Sequence, residues 1–197
     1  MFFNANRKKT LAGGMLAVAG LAVLSSVPAA AQGYGRPSGP PAGGASATLT
    51  LSATEAKALA FMREEEKMAR DLYRQLYAKW KLRVFDRISE SEQRHFDAVG
   101  RLLTRFQLED PARGLSDGIF TDPGLQALYN ELLAKGERSA KDALEVGVLV
   151  EKTDIEDLEA ALKSVTNTEV KRVFTSLLQA SMNHLDTFES FIEILNQ

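Results

Sequence analysis

Ile88-Ser89-Glu90-Ser91-Glu92-Gln93-Arg94-His95-Phe96-Asp97-Ala98-Val99-Gly100-Arg101-Leu102-Leu103-Thr104-Arg105-Phe106 is apolar on one side and breaks its own rule twice. Ile88, Val99, Leu102, Leu103 and Phe106 recur at helical spacing and make a stripe that should face a core. Glu92 and His95, three residues apart, fall on that same stripe. Burying a carboxylate and an imidazole together in an apolar seam is costly unless something compensates. A metal ion is one of the few things that does.

The same interruption recurs on other stretches. Leu59, Met62, Ala69, Tyr73 and Leu76 share a face with Glu66 between them; Glu65 borders the stripe, and Glu64 points away from it. Leu144, Val148, Ile155 and Leu158 line up around Glu151. Val170, Phe174, Leu177, Ser181, Phe188, Phe191 and Leu195 line up around His184, which with His95 completes the histidines of the chain. Taken singly, a Glu in an apolar stripe is usually near a helix end with its head in water. A lone core histidine is more often hydrogen-bonded structure than a ligand. Their coincidence on every long helix, roughly mid-helix, points instead to a site for a hard-to-borderline divalent metal in a helical core.

Helix punctuation supports that picture. Ser52 and Glu55 form a capping box behind Leu51, opening a helix that runs to about Lys79. A second is expected from near Asp86 to about Gln107, and a short one from Thr121-Asp122-Pro123 to Gly136. Ser139 to Asp142 opens another long helix, to about Ser164, and Thr166 to Glu169 reads as a capping box for the last. No run alternates as a strand would. The expected fold is all-α: a four-helix bundle over residues 51–197 with a long crossover, containing the short helix, between its second and third long helices.

Residues 1–31 read as a secretory signal peptide: Arg7, Lys8 and Lys9, an apolar run from Leu11 to Val27, then Ala29-Ala30-Ala31 before the expected cleavage. Residues 32–50, rich in Gly, Pro, Ser and Ala, read as a flexible linker. A periplasmic or secreted location follows, and no membrane span is expected after cleavage. The leader holds three of the 24 basic residues and none of the 26 acidic ones, which leaves the mature chain at a formal charge of −5. No basic patch remains for nucleic acid. The absence of cysteine excludes disulfides, thiolate zinc sites, cysteine-ligated iron–sulfur clusters and cysteine nucleophiles.

Phe61-Met62-Arg63-Glu64-Glu65-Glu66-Lys67-Met68-Ala69-Arg70-Asp71-Leu72-Tyr73, Glu90-Ser91-Glu92-Gln93-Arg94-His95, Gly147-Val148-Leu149-Val150-Glu151 and Ser181-Met182-Asn183-His184-Leu185 resemble the ferritin-like superfamily. The likeness is to a branch related to rubrerythrin and erythrin, the domain-of-unknown-function family 2202. It covers about residues 51 to 195. The resemblance implies a di-iron or di-manganese centre, with Glu66 as the first-helix ligand, Glu92 and His95 from the second, Glu151 from the third and His184 from the fourth. Glu66 is favoured over Glu65 because it precedes the Ala69-Arg70 pair by three residues, as the family pattern has it. Ser181 stands where that pattern has a fourth-helix Glu, leaving three carboxylates against the charge of two divalent ions. A weaker second ion, an added anion or a mononuclear site would follow.

The leading expectation is an exported metalloprotein binding iron, as a pair or a single ion, with manganese as the alternative. If it is an enzyme, the resemblance implies a di-iron-type oxidase, ferroxidase or peroxide-reducing protein, with dioxygen or peroxide as partner. Tyr73, on the face of Glu66, is a candidate neighbour of the site, although a core tyrosine with a satisfied hydroxyl is the simpler reading. The rival is a metal-free binding module of the cell envelope, with Glu66 and Glu92 paired to buried cations such as Arg70 or Arg94. Handling of copper or zinc is a third option, with cuprous transport disfavoured by the absence of Cys and the few Met of the mature domain. Oligomeric state stays open, with a homodimer among the options.

Overall fold

The computed structural model describes residues 50–196, in which the chain forms α1 (Ala53–Trp80), α2 (Arg83–Arg105), α3 (Pro123–Gly136), α4 (Ala140–Leu162) and α5 (Thr168–Leu195), with no strand among them. The expected signal peptide and all but the last residue of the expected linker lie outside the described residues. No described helix is long and apolar enough to cross a membrane.

Four of the five helices start at a residue whose side chain accepts from orphan backbone amides of the first turn. Ser52 and Glu55 form the expected capping box on α1, and Asp122 caps α3 with Pro123 in its first turn. Two starts differ from expectation. α2 begins at Arg83 rather than near Asp86, without a side-chain cap, because burial of Val84 and Phe85 draws the first turn into the core. Asn167, not Thr166, caps α5, accepting from the amides of Glu169 and Val170. Thr166 is engaged elsewhere: its amide and hydroxyl both donate to Glu55 Oε1, which ties the start of α5 to the start of α1.

Lys81, in the left-handed conformation at φ 57°, closes α1 and lets the chain turn directly into α2. α1 packs on α2 and α4 on α5; α1 also meets α4, and α2 meets α5, while α3 lies against α1 and α4. The long helices therefore have two long neighbours each, and the segment from Phe106 to Ser139 crosses from one pair to the other.

α1 is the central element. From Met62 to Tyr73 every residue is buried, although seven of these twelve are charged. The crossover covers its outer side and supplies the partners such charges need. Arg63 binds Asp110, and Lys67 Nζ donates to Asp71 at 2.6 Å and to the Ser116 carbonyl at 2.7 Å. Glu64 turns away from the seam, as expected, but is buried all the same: it accepts from the amides of Thr121 and Asp122 and from the Thr121 hydroxyl.

The apolar core is in two parts. One holds Met68, Leu72, Phe85, Ile88, Val150 and Phe188; the other holds Leu59, Met62, Val99, Leu158, Phe174 and Leu177. At the far end of α5 the stripe leaves the core, with Phe191 and Leu195 exposed.

Candidate metal centre

The gap between the two apolar clusters is where the interrupted stripes meet. On α1, Glu65 and Glu66 lie between Met62 of one cluster and Met68 of the other. On α2, Glu92 and His95 lie between Ile88 and Val99; on α4, Glu151 lies between Val150 and Leu158. On α5, Ser181 and His184 lie between Leu177 and Phe188. Helical rise converts these matching positions into one polar layer at a common depth.

Five side chains named from the sequence come together there. His95 Nδ1 is 2.7 Å from Glu92 Oε2 and 3.3 Å from Glu66 Oε2. His184 Nδ1 is 2.9 Å from Glu92 Oε1 and 3.6 Å from Glu151 Oε2. The two imidazoles stack with ring centroids 5.7 Å apart. Two overlapping donor triads result, Glu66–Glu92–His95 and Glu92–Glu151–His184, each with ligand atoms within 4.8 Å of one another. Glu92 belongs to both. Its carboxylate and those of Glu66 and Glu151 are each 2–3 % exposed.

The donors are also left over. Glu66 Oε1, Glu92 Oε1, His95 Nδ1 and His184 Nδ1 are buried and have no partner in hydrogen-bond geometry, as are both oxygens of Glu65 and Oδ1 of Asp154. Buried polar atoms are nearly always satisfied, so this concentration in one layer needs an explanation. Apart from the imidazoles themselves no donor is recorded at these oxygens, and converging oxygen and nitrogen lone pairs are the arrangement a cation satisfies. The donor set therefore fits divalent metal.

Without a cation, charge has to be managed by protons. Burial, then Asp154, pushes Glu66 well above the usual carboxylate range, and burial with Glu92 pushes Glu151 up to about 8. Burial also opposes the charge on Glu92, but His184 and His95 outweigh it and hold Glu92 at about 2. Burial alone would lower both histidines; Glu66 and Glu92 instead raise His95 to about 11, and Glu151 and Glu92 raise His184 to about 10.

Residues 55–197 match the family model described as an uncharacterized protein domain, DUF2202. The chain belongs to the DUF2202 family. It is similar to the uncharacterized protein MJ0754 of Methanocaldococcus jannaschii, 44 % identical over 146 residues that make 74 % of this chain and 77 % of that protein. The crystal structure of MJ0754 is likewise similar, with a TM-score of 0.73 and 42 % identity, covering 75 % of this chain and 84 % of that one.

Within this DUF2202 domain three further residues touch the layer. Tyr73 is fully buried and donates its hydroxyl to Glu151 Oε1 at 2.6 Å, so the candidate neighbour is a satisfied core tyrosine and a fixed partner of the site at once. Asp154, not singled out in the sequence, is buried one turn beyond Glu151 and accepts from Ser181 Oγ at 2.5 Å. Ser181 is therefore not a bare gap: its small side chain leaves room for a carboxylate from α4. Burial raises Asp154 to about 7 against the opposing Ser181 bond. The third is Glu65, 2 % exposed, whose charge is opposed by burial and then by Asp154 and Asp157. Of the cations named for the metal-free reading, Arg70 binds Asp71 at 2.7 Å and Gln93 at 3.0 Å, and Arg94 is exposed.

Proposed function

We propose that this DUF2202 protein is an exported, ferritin-like metalloprotein that holds a pair of divalent ions, iron or manganese, in the polar layer of its helical core. The observation that carries the reading is the set of buried, unpartnered ligand atoms gathered around Glu92. Oxygen and imidazole donors without sulfur suit iron and manganese. Export rests on the order of basic, apolar and small residues in positions 1–31.

Glu66 and His95 would hold one ion, Glu151 and His184 the other, with Glu92 between them. Asp154 adds a fourth negative charge to those of Glu66, Glu92 and Glu151, which matches two divalent ions and removes the deficit expected from Ser181. Bound there, such ions would supply one-electron chemistry toward dioxygen or peroxide. The protein's part is orientation and exclusion of water. Tyr73 fixes Glu151, Ser181 fixes Asp154, and the apolar clusters on either side keep the layer dry and its donors rigid.

The test is elemental analysis, with an absorption spectrum, of protein recovered from its native compartment without chelators. Iron or manganese close to two ions per chain is expected from the two triads. Metal well below one ion per chain would favour the envelope binding module.

A further inference from the structure

Glu64, Glu65 and Glu66 are consecutive, all buried, and project from α1 in three directions. Glu64 is taken up by the crossover and Glu66 by His95. Glu65 instead meets another carboxylate, Asp157 of α4. Other buried carboxylates have donors: Glu55 has Ser52, Thr166 and Asn167, Asp71 has Lys67, Arg70 and the Gly118 amide, and Glu151 has Tyr73. Both Glu65 oxygens lack a donor at 2 % exposure.

Its leading charged neighbours are acidic. The charges acting on Glu65 are Asp154, Asp157 and Glu66. Asp154, with its own unpartnered oxygen, is the first charge acting on Glu66 and so adjoins the central layer. Asp157, one turn further along α4, is half-buried and has the exposed Glu156 beside it. The leading charges on Glu65 and Asp157 are carboxylates, and Asp154 feels His95 of the central layer besides. The carboxylates thus run from the surface at Asp157, through Glu65, to Asp154 and Glu66. A fixed third site would need ligand atoms already gathered, and among the described residues the preformed triads are the two central ones. Glu65 meets Asp157, and Asp154 keeps Oδ1 free beside its bond from Ser181, so the file of carboxylates runs inward without closing into a triad and is better suited to passing a cation than to keeping it.

We propose that Asp157, Glu65 and Asp154 form an inlet along α1 and α4 through which divalent cations reach the Glu66–Glu92–His95 half of the centre, with Glu65 as the transfer ligand. The inlet rests on the central metal reading, and its test keeps the two apart. Co2+ is added to the chelator-stripped full chain; the rise of its absorption gives the loading rate, and elemental analysis at equilibrium gives the content. Glu65→Gln keeps the shape and removes the charge, and is expected to slow loading about tenfold, with Asp157→Asn slowing it less. Both should reach the wild-type content and final spectrum.

Wild-type loading rates in both variants would overturn the inlet and leave the centre standing. A lower final content in Glu65→Gln would also overturn it, by making Glu65 a permanent ligand. Failure of the unaltered chain to bind Co2+ would remove both readings. Should Glu65→Gln not fold, Asp157→Asn at the half-buried mouth decides the matter alone, slower loading supporting the inlet and an unchanged rate overturning it.

Discussion

The carboxylate of Glu92 stands between His95 and His184, with Oε2 2.7 Å from one Nδ1 and Oε1 2.9 Å from the other. One side chain thus serves both donor triads, whereas Glu66 and Glu151 each serve one. Glu92→Gln should therefore empty both positions, and Glu66→Gln or Glu151→Gln only one. Elemental analysis after gel filtration reads the difference. Equal losses from Glu92→Gln and Glu66→Gln would show that the carboxylate is not shared.

His95→Ala removes a ligand from the Glu66–Glu92 triad and leaves the other complete. Metal content should fall by about half, and the melting temperature of the loaded form should drop because binding energy is folding energy here. At a hundredfold excess over Kd a bound ion contributes about 2.7 kcal/mol, which sets the scale of the loss. Unchanged stoichiometry would count against His95 as a ligand.

How much of this was legible in the sequence depended on contrast. Glu66, Glu92, Glu151 and His184 stand out because each interrupts an otherwise apolar stripe, and His95 because it repeats the interruption one turn after Glu92. Asp154 has the same spacing from Glu151 that His95 has from Glu92, but sits in the acidic stretch Asp154, Glu156, Asp157, Glu159 and reads as part of a solvated face. The spacing was the signal available. The burial of Glu64 had no local signal, since it is created by Thr121 and Asp122 more than fifty positions away. The start of α2 lacks a local signal for a related reason: tertiary burial of Phe85, not a cap, determines it.

Metal should oppose the pH dependence of stability. In the metal-free chain burial and Glu92 raise Glu151 from 4.5 to about 8, and burial raises Asp154 from 3.8 to about 7. Their carboxylate partners raise His95 and His184 from 6.5 to about 11 and about 10, against the effect of burial. A group raised on folding contributes stability that is complete below its unfolded value and lost as pH rises through its folded value. Glu92, held at about 2, has the opposite sense, but its contribution is complete above 4.5. The metal-free melting temperature should therefore fall from pH 4.5 to about 8 and continue falling beyond. Metal binding displaces those protons, so the loaded form should gain on the metal-free form over the same range. Calorimetry of both forms across this window checks it; a flat or rising metal-free profile is the contrary result.

Glu55 offers a prediction independent of metal. Its Oε2 closes the α1 capping box with Ser52, while Oε1 accepts from Thr166 and Asn167 at the head of α5. The Asn167 amide leads in holding it at about 2 despite burial. Glu55→Ala leaves those donors unpaired, and a loss of about 1–3 kcal/mol in denaturant midpoint experiments is expected at neutral pH. The contribution is present above 4.5 and lost as pH falls toward 2, so wild type and variant should converge in acid. A variant as stable as wild type at neutral pH would mean that the link between the two helix starts carries no weight.

In the proposed centre Asp154 stands in for the carboxylate lacking at position 181, and the two positions should be exchangeable. Ser181 Oγ lies 2.5 Å from Asp154 Oδ2, so the small serine and the α4 carboxylate occupy one place in the layer. Asp154→Ala should weaken one of the two ions about 10–100-fold, since three carboxylates then face two divalent charges. Ser181→Glu in the otherwise natural chain brings a fifth carboxylate against Asp154 and deletes its hydroxyl donor, so metal affinity should stay level or fall. Together, Asp154→Ala and Ser181→Glu move the charge from α4 to α5 and should restore much of the lost affinity. The sign of the coupling decides the question: tighter binding from Ser181→Glu alone would mean that the layer is short of a ligand after all, with Asp154 outside it.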